Sequence, residues 1–286
     1  MKNKQLVEMS LRETQMASLD LLKKIDEICK SNNIKYFLIY GSLLGAIRHK
    51  GFIPWDDDLD IGMLREDYNK FCNYCIEHRV SLGKFQLDNN DTRKGVPFAL
   101  SRFCNTEYIL KFNQYSTYKS SGIFVDIYPF DGAGNDRDIE YWKKVAFKRF
   151  TIRQCVFFAC SKDYFIGDNF LRRVEKLPFI LYAKLRTSDY FINKLKKYAC
   201  HFDMNQSDYV SCIMWTSLKI IPRYKKEWFE DLIYTDFEDM KVPIPKEYND
   251  FLTSEYGDYM KFPPEKDRHP YHGYIPYRIN KDKNDY

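Results

Sequence analysis

The spacing of hydrophobic and polar residues over the first 80 positions predicts alternating helices and strands. Apolar side chains recur every three or four residues across 11–29, which is typical of an amphipathic helix. Apolar runs at 35–40 and 59–63 predict strands. Short helices are expected after each of these strands, at 43–49 and 67–78. This alternation is typical of an α/β core.

Further strands are predicted in the middle of the chain. Two short apolar segments, at 99–102 and 108–112, are candidates, and the run at 123–128 is the clearest strand signal. This last strand is expected to end at Pro129. The chain is therefore expected to form a sheet of several strands rather than a single hairpin.

The second half of the chain is predicted to be helical and then irregular. Residues 138–200 have a mostly helical pattern, with breaks near 161–167 and at Pro178. Pro, Tyr and His are frequent after Val242, which predicts ordered loops around one short helix at 249–256. The fold class expected from the whole pattern is α/β (α+β), a mixed sheet flanked by helices with a helical insertion.

Composition excludes several classes of protein. Aromatic residues make up 17% of the 286 positions, which excludes a disordered chain. No apolar run approaches the ~20 residues of a membrane-spanning helix, and no apolar segment of a signal peptide follows Met1. The eight cysteines are then expected to be reduced thiols in the cytoplasm.

Positive charge is concentrated in one segment. Residues 141–200 hold fourteen Lys and Arg against four Asp and Glu, a net charge of +10 in a chain whose total is +5. Basic, aromatic-rich helices of this kind can lie against an anionic membrane, here the inner face. The equal alternative is a helical subdomain whose apolar faces form a core and whose lysines are solvated. No nucleic-acid-binding motif accompanies the charge, so no nucleic-acid partner is expected.

A pair of acids carries the strongest chemical signal. Asp58 and Asp60 flank Leu59, and because strand side chains alternate, both carboxylates are expected on one face. Mg²⁺ (or Mn²⁺) prefers such oxygen ligands together with substrate phosphates. Asp56 and Asp58 are also two residues apart, but Leu59 and Ile61 favour the later pair because they alternate into the core.

Other residues nearby suit the same chemistry. Asp57 is expected to point away from the metal ligands. Gly41 and Ser42 end the first strand and precede a helix, where backbone N–H groups can hold a phosphate. Arg48 is the first candidate for binding a diphosphate, since an arginine binds phosphate oxygens with two donors. Asp126 is the candidate third ligand, because an acid in an apolar strand is costly to bury unpaired; its alternative is an ion pair with an arginine.

The residues around these acids resemble a known family. The segment GSLLGAIRHKGFIPWDDDLDIG at 41–62 resembles the signature of the LicD family, which belongs to the nucleotidyltransferase superfamily and includes bacterial phosphocholine transferases and fukutin-related proteins. Further similar segments lie at 65–68, 122–132 and 256–264. The resemblance implies a nucleotidyltransferase-like catalytic core and gives Arg102 a role in binding the donor or acceptor.

The resemblance also implies an organisation and an activity. Residues 1–135 would form the catalytic core, 136–205 a basic aromatic helical subdomain, and 206–286 a C-terminal segment completing the site. The implied reaction moves a phospho-alcohol, most commonly phosphocholine, from a CDP-activated donor such as CDP-choline to a hydroxyl of a glycan or lipid-linked glycan, releasing CMP. Asp126 would then bind a second metal or accept the hydroxyl proton.

Alternative functions remain open. Ribitol or glycerol phosphate would be transferred by the same chemistry, a nucleotidyltransferase would move the nucleotide itself, and a non-catalytic accessory protein would use the basic segment alone. Cys72 and Cys75 form a C-x-x-C pair but are expected to be buried thiols. Arg268, His269 and His272 resemble the closing segment of the family's pattern; the two histidines could bind a metal or be ordinary surface residues, and the role of all three stays open.

Overall fold

Helices and strands alternate in the first part of the chain and helices dominate its middle. The computed structural model describes residues 6–112, 119–161, 165, 169–214, 221–270 and 273–279. The helices are α1 (Leu11–Ser31), α2 (Tyr40–His49), α3 (Arg65–Glu77), α4 (Ile139–Cys160), α5 (Phe170–Lys184), α6 (Ser188–Ala199) and α7 (Tyr248–Tyr256). The strands are β1 (Leu6–Glu8), β2 (Phe37–Leu38), β3 (Asp60–Leu64), β4 (Phe85–Asp88), β5 (Ser101–Asn105), β6 (Tyr108–Phe112), β7 (Ile123–Gly132), β8 (Tyr209–Ser211), β9 (Tyr224–Lys225), β10 (Leu232–Phe237), β11 (Met240–Pro245) and β12 (Tyr274–Ile279).

The main sheet brings two acidic residues side by side at its centre. Its strands lie in the order β2-β3-β7-β5-β4. Strand β8 pairs with the C-terminal end of β7, and β9 pairs with β8. Strands β3 and β7 are parallel neighbours, and Asp60 lies opposite Asp126 in their register. All ten residues of β7 are buried, because β3 and β5 flank it and helices α1 and α3 pack on it. The fold is therefore the mixed α/β (α+β) architecture expected from the sequence.

Helix α1 shows how the sequence sets a boundary. Ser10 accepts a hydrogen bond from the Glu13 backbone N–H while the Glu13 carboxylate accepts from the Ser10 backbone N–H, a reciprocal capping box. The apolar positions Leu19, Leu22 and Ile25 are fully buried in the core that contains β7. The periodic pattern at 11–29 thus predicted this helix correctly.

Helices α4, α5 and α6 pack around a second hydrophobic cluster. It includes Trp142, Phe158, Phe191 and Leu195, and it is distinct from the cluster under the main sheet. The division of the chain at 135 and 205 stays a prediction. Among the described helices, none has both the length and the hydrophobicity to cross a lipid bilayer.

Three sequence-based boundaries were wrong for physical reasons. Strand β7 continues through Pro129 to Gly132, because Pro129 lies between the end of the β5 ladder at Ile127 and the start of the β8 ladder at Asp131. Helix α5 continues through Pro178, since packing of its C-terminal half into the second cluster outweighs the missing N–H.

The third error concerns the tail, which was expected to contain loops around one helix. Helix α7 is present, but β11 begins the tail as the second strand of an antiparallel hairpin with β10. Strand β12 pairs with β6 and with β1, forming a small sheet from both ends of the described chain. The pairings of β12 join residues more than 150 positions apart, so no local sequence pattern predicts them.

Candidate functional site

Asp60 and Asp126 form the buried centre of the site. Asp126 makes an ion pair with Arg102, whose Nε lies 2.7 Å from Oδ1 and whose Nη2 lies 3.5 Å from Oδ2. Asp60 Oδ1 is buried and has no hydrogen-bond partner among the described residues. Burial raises the pKa of Asp60 well above its ordinary value, and the nearby carboxylates of Asp58, Asp126 and Asp56 raise it further. An unpaired buried carboxylate oxygen beside other acids fits a cation ligand.

The three acids that precede β3 converge on the same region. Each of Asp56, Asp57 and Asp58 offers a carboxylate oxygen within 4.8 Å of the other two. The expectation that Asp57 points away was therefore wrong. Strand β3 begins only at Asp60, so strand alternation does not apply to the preceding residues, which follow a turn closed by the Asp56 N–H to the Ile53 carbonyl. We call Asp56, Asp57, Asp58, Asp60 and Asp126 the acid cluster.

Helix α2 is joined to the acid cluster at its N-terminus. The helix starts at Tyr40, three residues earlier than expected, so Gly41 and Ser42 lie in its first turn. The Ser42 hydroxyl accepts a 2.8 Å hydrogen bond from the Asp60 backbone N–H. The Asp56 carboxylate lies over Gly41, with Oδ2 only 2.7 Å from the place that a Cβ would occupy. A helix N-terminus stabilises negative charge, so it suits both Asp56 and a phosphate.

Gly41→Ala is expected to separate activity from stability. The added methyl group would push the Asp56 carboxylate out of place, and a displacement of about 1 Å at a reaction centre can cost ~10²-fold in rate. The unfolding free energy should change by less than about 1 kcal/mol, because alanine favours a helix over glycine and Asp56 can move. Steady-state rates and thermal melts of the same preparation check this. Wild-type rates would show that the Asp56–Gly41 contact does not matter.

A second group of side chains surrounds Trp55, the neighbour of Asp56. Arg48 donates from Nη1 to the carbonyl oxygens of Tyr259 at 3.1 Å and Lys261 at 3.4 Å, and its guanidinium lies 4.6 Å from the Phe262 ring centroid. The Arg268 guanidinium lies 5.5 Å from the ring centroids of both Trp55 and Phe262. Arg48 therefore fastens the segment after α7 beside the acid cluster, and its role in binding a donor diphosphate stays a prediction.

Arg48→Met is expected to loosen this segment. Charge-assisted hydrogen bonds contribute about 1.5–3 kcal/mol each, so the loss of those to the Tyr259 and Lys261 carbonyls should speed amide exchange at 259–262 by at least about tenfold. Hydrogen-exchange mass spectrometry measures this, with Lys266→Met as a control that removes an exposed positive charge from the same segment. Equal exchange in the two variants would contradict the anchoring role.

The remaining sequence-based candidates are placed as follows. His49 contacts Trp55 and Phe262 edge-on, and His269 is exposed with Nδ1 3.1 Å from the Pro270 carbonyl oxygen. His272 lies outside the described residues. Cys72 and Cys75 are buried free thiols, as expected.

Arg102 is buried, whereas an arginine that binds a substrate phosphate would be expected at an exposed position. Its guanidinium lies 3.7 Å from the Phe124 ring centroid and 4.1 Å from that of Phe98, and the residue is buried. The ion pair weighed as the alternative role of Asp126 is therefore present. A carboxylate has more than two lone pairs, so this pairing is compatible with the predicted metal ligation by Asp126.

Sequence reasoning missed residues that complete the site. Asp56 and Asp57 were visible in the WDDD run but were set aside by the alternation argument. The Tyr274 hydroxyl donates to the Asp57 carbonyl oxygen at 2.7 Å, which connects β12 to the acid cluster. Burial raises the pKa of Tyr128, and Asp60 and Asp126 raise it further, which places this phenol beside the same acids. No local signal pointed to Tyr274, because β12 itself was not predicted.

Comparison with known proteins identifies the family of this chain. The family described as LicD/FKTN/FKRP, nucleotidyltransferase domain, matches residues 33–171, which include the whole acid cluster. The lipopolysaccharide cholinephosphotransferase LicD of Haemophilus influenzae is 30% identical over 273 residues, covering 92% of this chain and 96% of the relative. The human ribitol 5-phosphate transferase FKRP is 48% identical over 40 residues, 14% of this chain and 8% of the relative. The chain therefore belongs to the LicD family.

Proposed function

We propose that this phosphotransferase moves phosphocholine from CDP-choline to a hydroxyl group of a cell-surface glycan and releases CMP. The observation that carries the proposal is the similarity to a lipopolysaccharide cholinephosphotransferase over nearly the whole length of both chains. The similarity to a ribitol 5-phosphate transferase covers only 40 residues, so ribitol phosphate, and by the same chemistry glycerol phosphate, is the second candidate for the group transferred.

The acid cluster supports a divalent cation in this reaction. Asp60 Oδ1 has no hydrogen-bond partner among the described residues, and the oxygens of Asp56, Asp57 and Asp58 gather close to one another. Such carboxylate oxygens suit Mg²⁺ or Mn²⁺. Asp60, Asp58 and Asp126 would hold the ion, with Asp56 or Asp57 beside them. When bound, the ion neutralises the donor diphosphate and stabilises CMP as it leaves.

The chain's own residues would hold the donor and orient the reaction. The first turn of α2, with Gly41 and Ser42, would donate backbone N–H groups to a phosphate, and Arg48 would add positive charge. The acceptor oxygen forms a bond to the choline-bearing phosphorus as the bond from that phosphorus to the bridging oxygen breaks. CMP leaves with the bridging oxygen, and the hydroxyl proton passes to a carboxylate of the acid cluster, for which we propose Asp126.

The fold also suggests a division of labour. We propose that residues 1–135 carry the catalytic core, 136–205 a helical subdomain, and 206–286 the segment that closes the site through Tyr274 and the Arg48 contacts. The acceptor would be a glycan, including one linked to lipid. We therefore propose that the protein acts in the cytoplasm and makes peripheral contact with the anionic inner face of the membrane.

Doubly labelled CDP-choline tests the proposal directly. Purified protein is incubated with donor labelled separately in choline and cytidine, with crude cell-envelope glycan, in Mg²⁺ or in EDTA. We expect the choline label on the glycan, the cytidine label in CMP, and loss of both products in EDTA. Cytidine label on the glycan would identify a nucleotidyltransferase.

Parallel reactions with CDP-ribitol and CDP-glycerol decide the transferred group. Faster transfer from either one would replace phosphocholine in the proposal. Absence of CMP from all three donors with glycan present would overturn the transferase reaction and favour a non-catalytic accessory role.

A further inference from the structure

Helix α5 presents a stripe of large apolar side chains to solvent. Phe170, Val174, Leu177 and Leu181 follow one another at spacings of four, three and four, so they lie on one face of the helix. Leu185, just past the helix end, continues this face, and Leu171 lies at its edge. The exposed fractions of Phe170, Leu181 and Leu185 are 78%, 63% and 77%. We call these six residues the α5 stripe.

The α5 stripe is separate from the face that packs against the protein. Ile180 and Ala183 are buried in the second hydrophobic cluster with residues of α4 and α6. At 100° per residue these two positions project away from the centre of the stripe. The alternative given above for the segment 141–200, in which the apolar faces form a core and the lysines are solvated, therefore does not describe α5, because its larger apolar face points outward.

Basic residues accompany the stripe. Helix α5 and the two residues after it hold five cationic residues and one acid, Glu175; the cationic residues are Arg172, Arg173, Lys176, Lys184 and Arg186. In helical projection Arg173 borders the stripe beside Leu177. Lys184 lies next to it, but its Nζ donates to the carbonyl oxygens of Ala159 and Ser161. An apolar face bordered by cations is the pattern of helices that lie in the plane of a membrane interface.

We infer that α5 binds the surface of an anionic phospholipid bilayer, with the α5 stripe among the acyl chains and Arg173 at the lipid phosphates, within a segment, 141–200, whose net charge is +10. A second copy of this chain is the other apolar partner to weigh, but facing α5 helices would bring together two segments, 141–200, that each carry a net charge of +10. Lipid phosphates instead complement that charge. The inference identifies the surface for the peripheral contact proposed above and does not depend on the transfer chemistry.

Vesicle sedimentation of the full-length protein tests this binding. We expect strong binding to phosphatidylcholine vesicles containing about a third phosphatidylglycerol, weak binding to pure phosphatidylcholine, and a decrease as salt is raised. The double variant Leu177→Asp/Leu181→Asp should bind at least tenfold more weakly. Its matched control is Ile76→Asp/Val80→Asp, which places the same charge at two exposed apolar positions outside α5 and should bind like wild type.

A second measurement covers the case in which the double variant folds poorly. Cys200 is the exposed cysteine of the chain and is replaced by serine, so that a dye reacts at one introduced position. In this background Leu177→Cys is labelled with an environment-sensitive dye, with Val80→Cys as the matched position. Anionic vesicles should shift the emission to the blue at 177 and leave it unchanged at 80. The same shift at both positions, or at neither, would overturn the inference.

Two other outcomes would also overturn it. One is equal vesicle binding by the stripe variant and its control. The other is a wild-type protein that does not bind vesicles and is a dimer in lipid-free solution, while Leu177→Asp/Leu181→Asp is a monomer. That result would assign the α5 stripe to contact with a second copy of this chain. CMP release in detergent-free solution without vesicles is scored separately, so failure of the transfer reaction and failure of membrane binding remain distinguishable.

Discussion

Asp60→Asn is expected to reduce phosphotransfer by at least about 10³-fold. The substitution keeps the size of the side chain but removes the negative charge from an acid of the cluster whose buried Oδ1 has no hydrogen-bond partner among the described residues. A bound cation contributes several kcal/mol to the stabilisation of a phosphoryl-transfer transition state, and about 4 kcal/mol corresponds to 10³ in rate. Transfer of labelled choline to glycan at saturating CDP-choline measures the loss.

The same variant should be more stable than wild type when no metal is present. Burial and the surrounding acids raise the folded-state pKa of Asp60, so its ionised form opposes folding. This cost appears as the pH rises above the ordinary value of 3.8 and reaches its full size above the raised pKa. In EDTA at neutral pH, Asp60→Asn should therefore melt at a higher temperature than wild type.

Added Mg²⁺ should reverse that order. A ligand that binds the folded state raises its stability, so Mg²⁺ should raise the melting temperature of wild type and leave that of Asp60→Asn nearly unchanged. Asp239→Asn, a substitution at an exposed acid in the turn between β10 and β11, serves as the control and should respond to Mg²⁺ like wild type. Full activity in Asp60→Asn, or an equal response of both variants to Mg²⁺, would contradict the proposed metal site.

Elements with a strong local signal were predicted well from the sequence. Helix α1 has both a periodic apolar face and a capping box at Ser10, and β6 was predicted with its observed bounds. Asp60 was chosen with Asp58 because alternation along a strand places both carboxylates on one face, and Asp126 because an acid in an apolar strand is costly to bury. Their position opposite each other on parallel strands could not be read from the sequence, because strand order is set by the packing of the whole sheet.

Other features of the site depend on pairings that span the chain. Strand β12 contains Pro276, which weakens a strand signal, and it is stabilised by pairing with β6 and β1. Its Tyr274 then contacts Asp57, more than 200 residues earlier. The convergence of Asp56, Asp57 and Asp58 follows from a loop conformation and not from strand periodicity. Sequence patterns identified the acids but did not indicate how many of them lie close together in the site.

Arg102→Met is expected to lower the unfolding free energy by about 3–5 kcal/mol. Arg102 and Asp126 are both buried and form an ion pair, so removing the cation leaves a buried carboxylate without its partner. The double variant Arg102→Met/Asp126→Asn should recover much of this loss, because it removes the buried charge as well. Urea denaturation of the two single variants and the double variant measures the coupling. A loss below about 1 kcal/mol in Arg102→Met would contradict it.

A second ion pair on the same strand provides the matched control for the role of Asp126. Asp131 accepts from Arg65, with Nε 2.6 Å from Oδ1, at the other end of β7. The variants Arg65→Met and Arg65→Met/Asp131→Asn should show a similar loss and recovery of stability. If Asp126 acts in the reaction, its double variant stays inactive after its stability is restored, whereas the Asp131 double variant recovers activity. Recovery of activity in both would reduce Asp126 to a structural partner of Arg102 and leave the chemistry to Asp60 and the acids before β3.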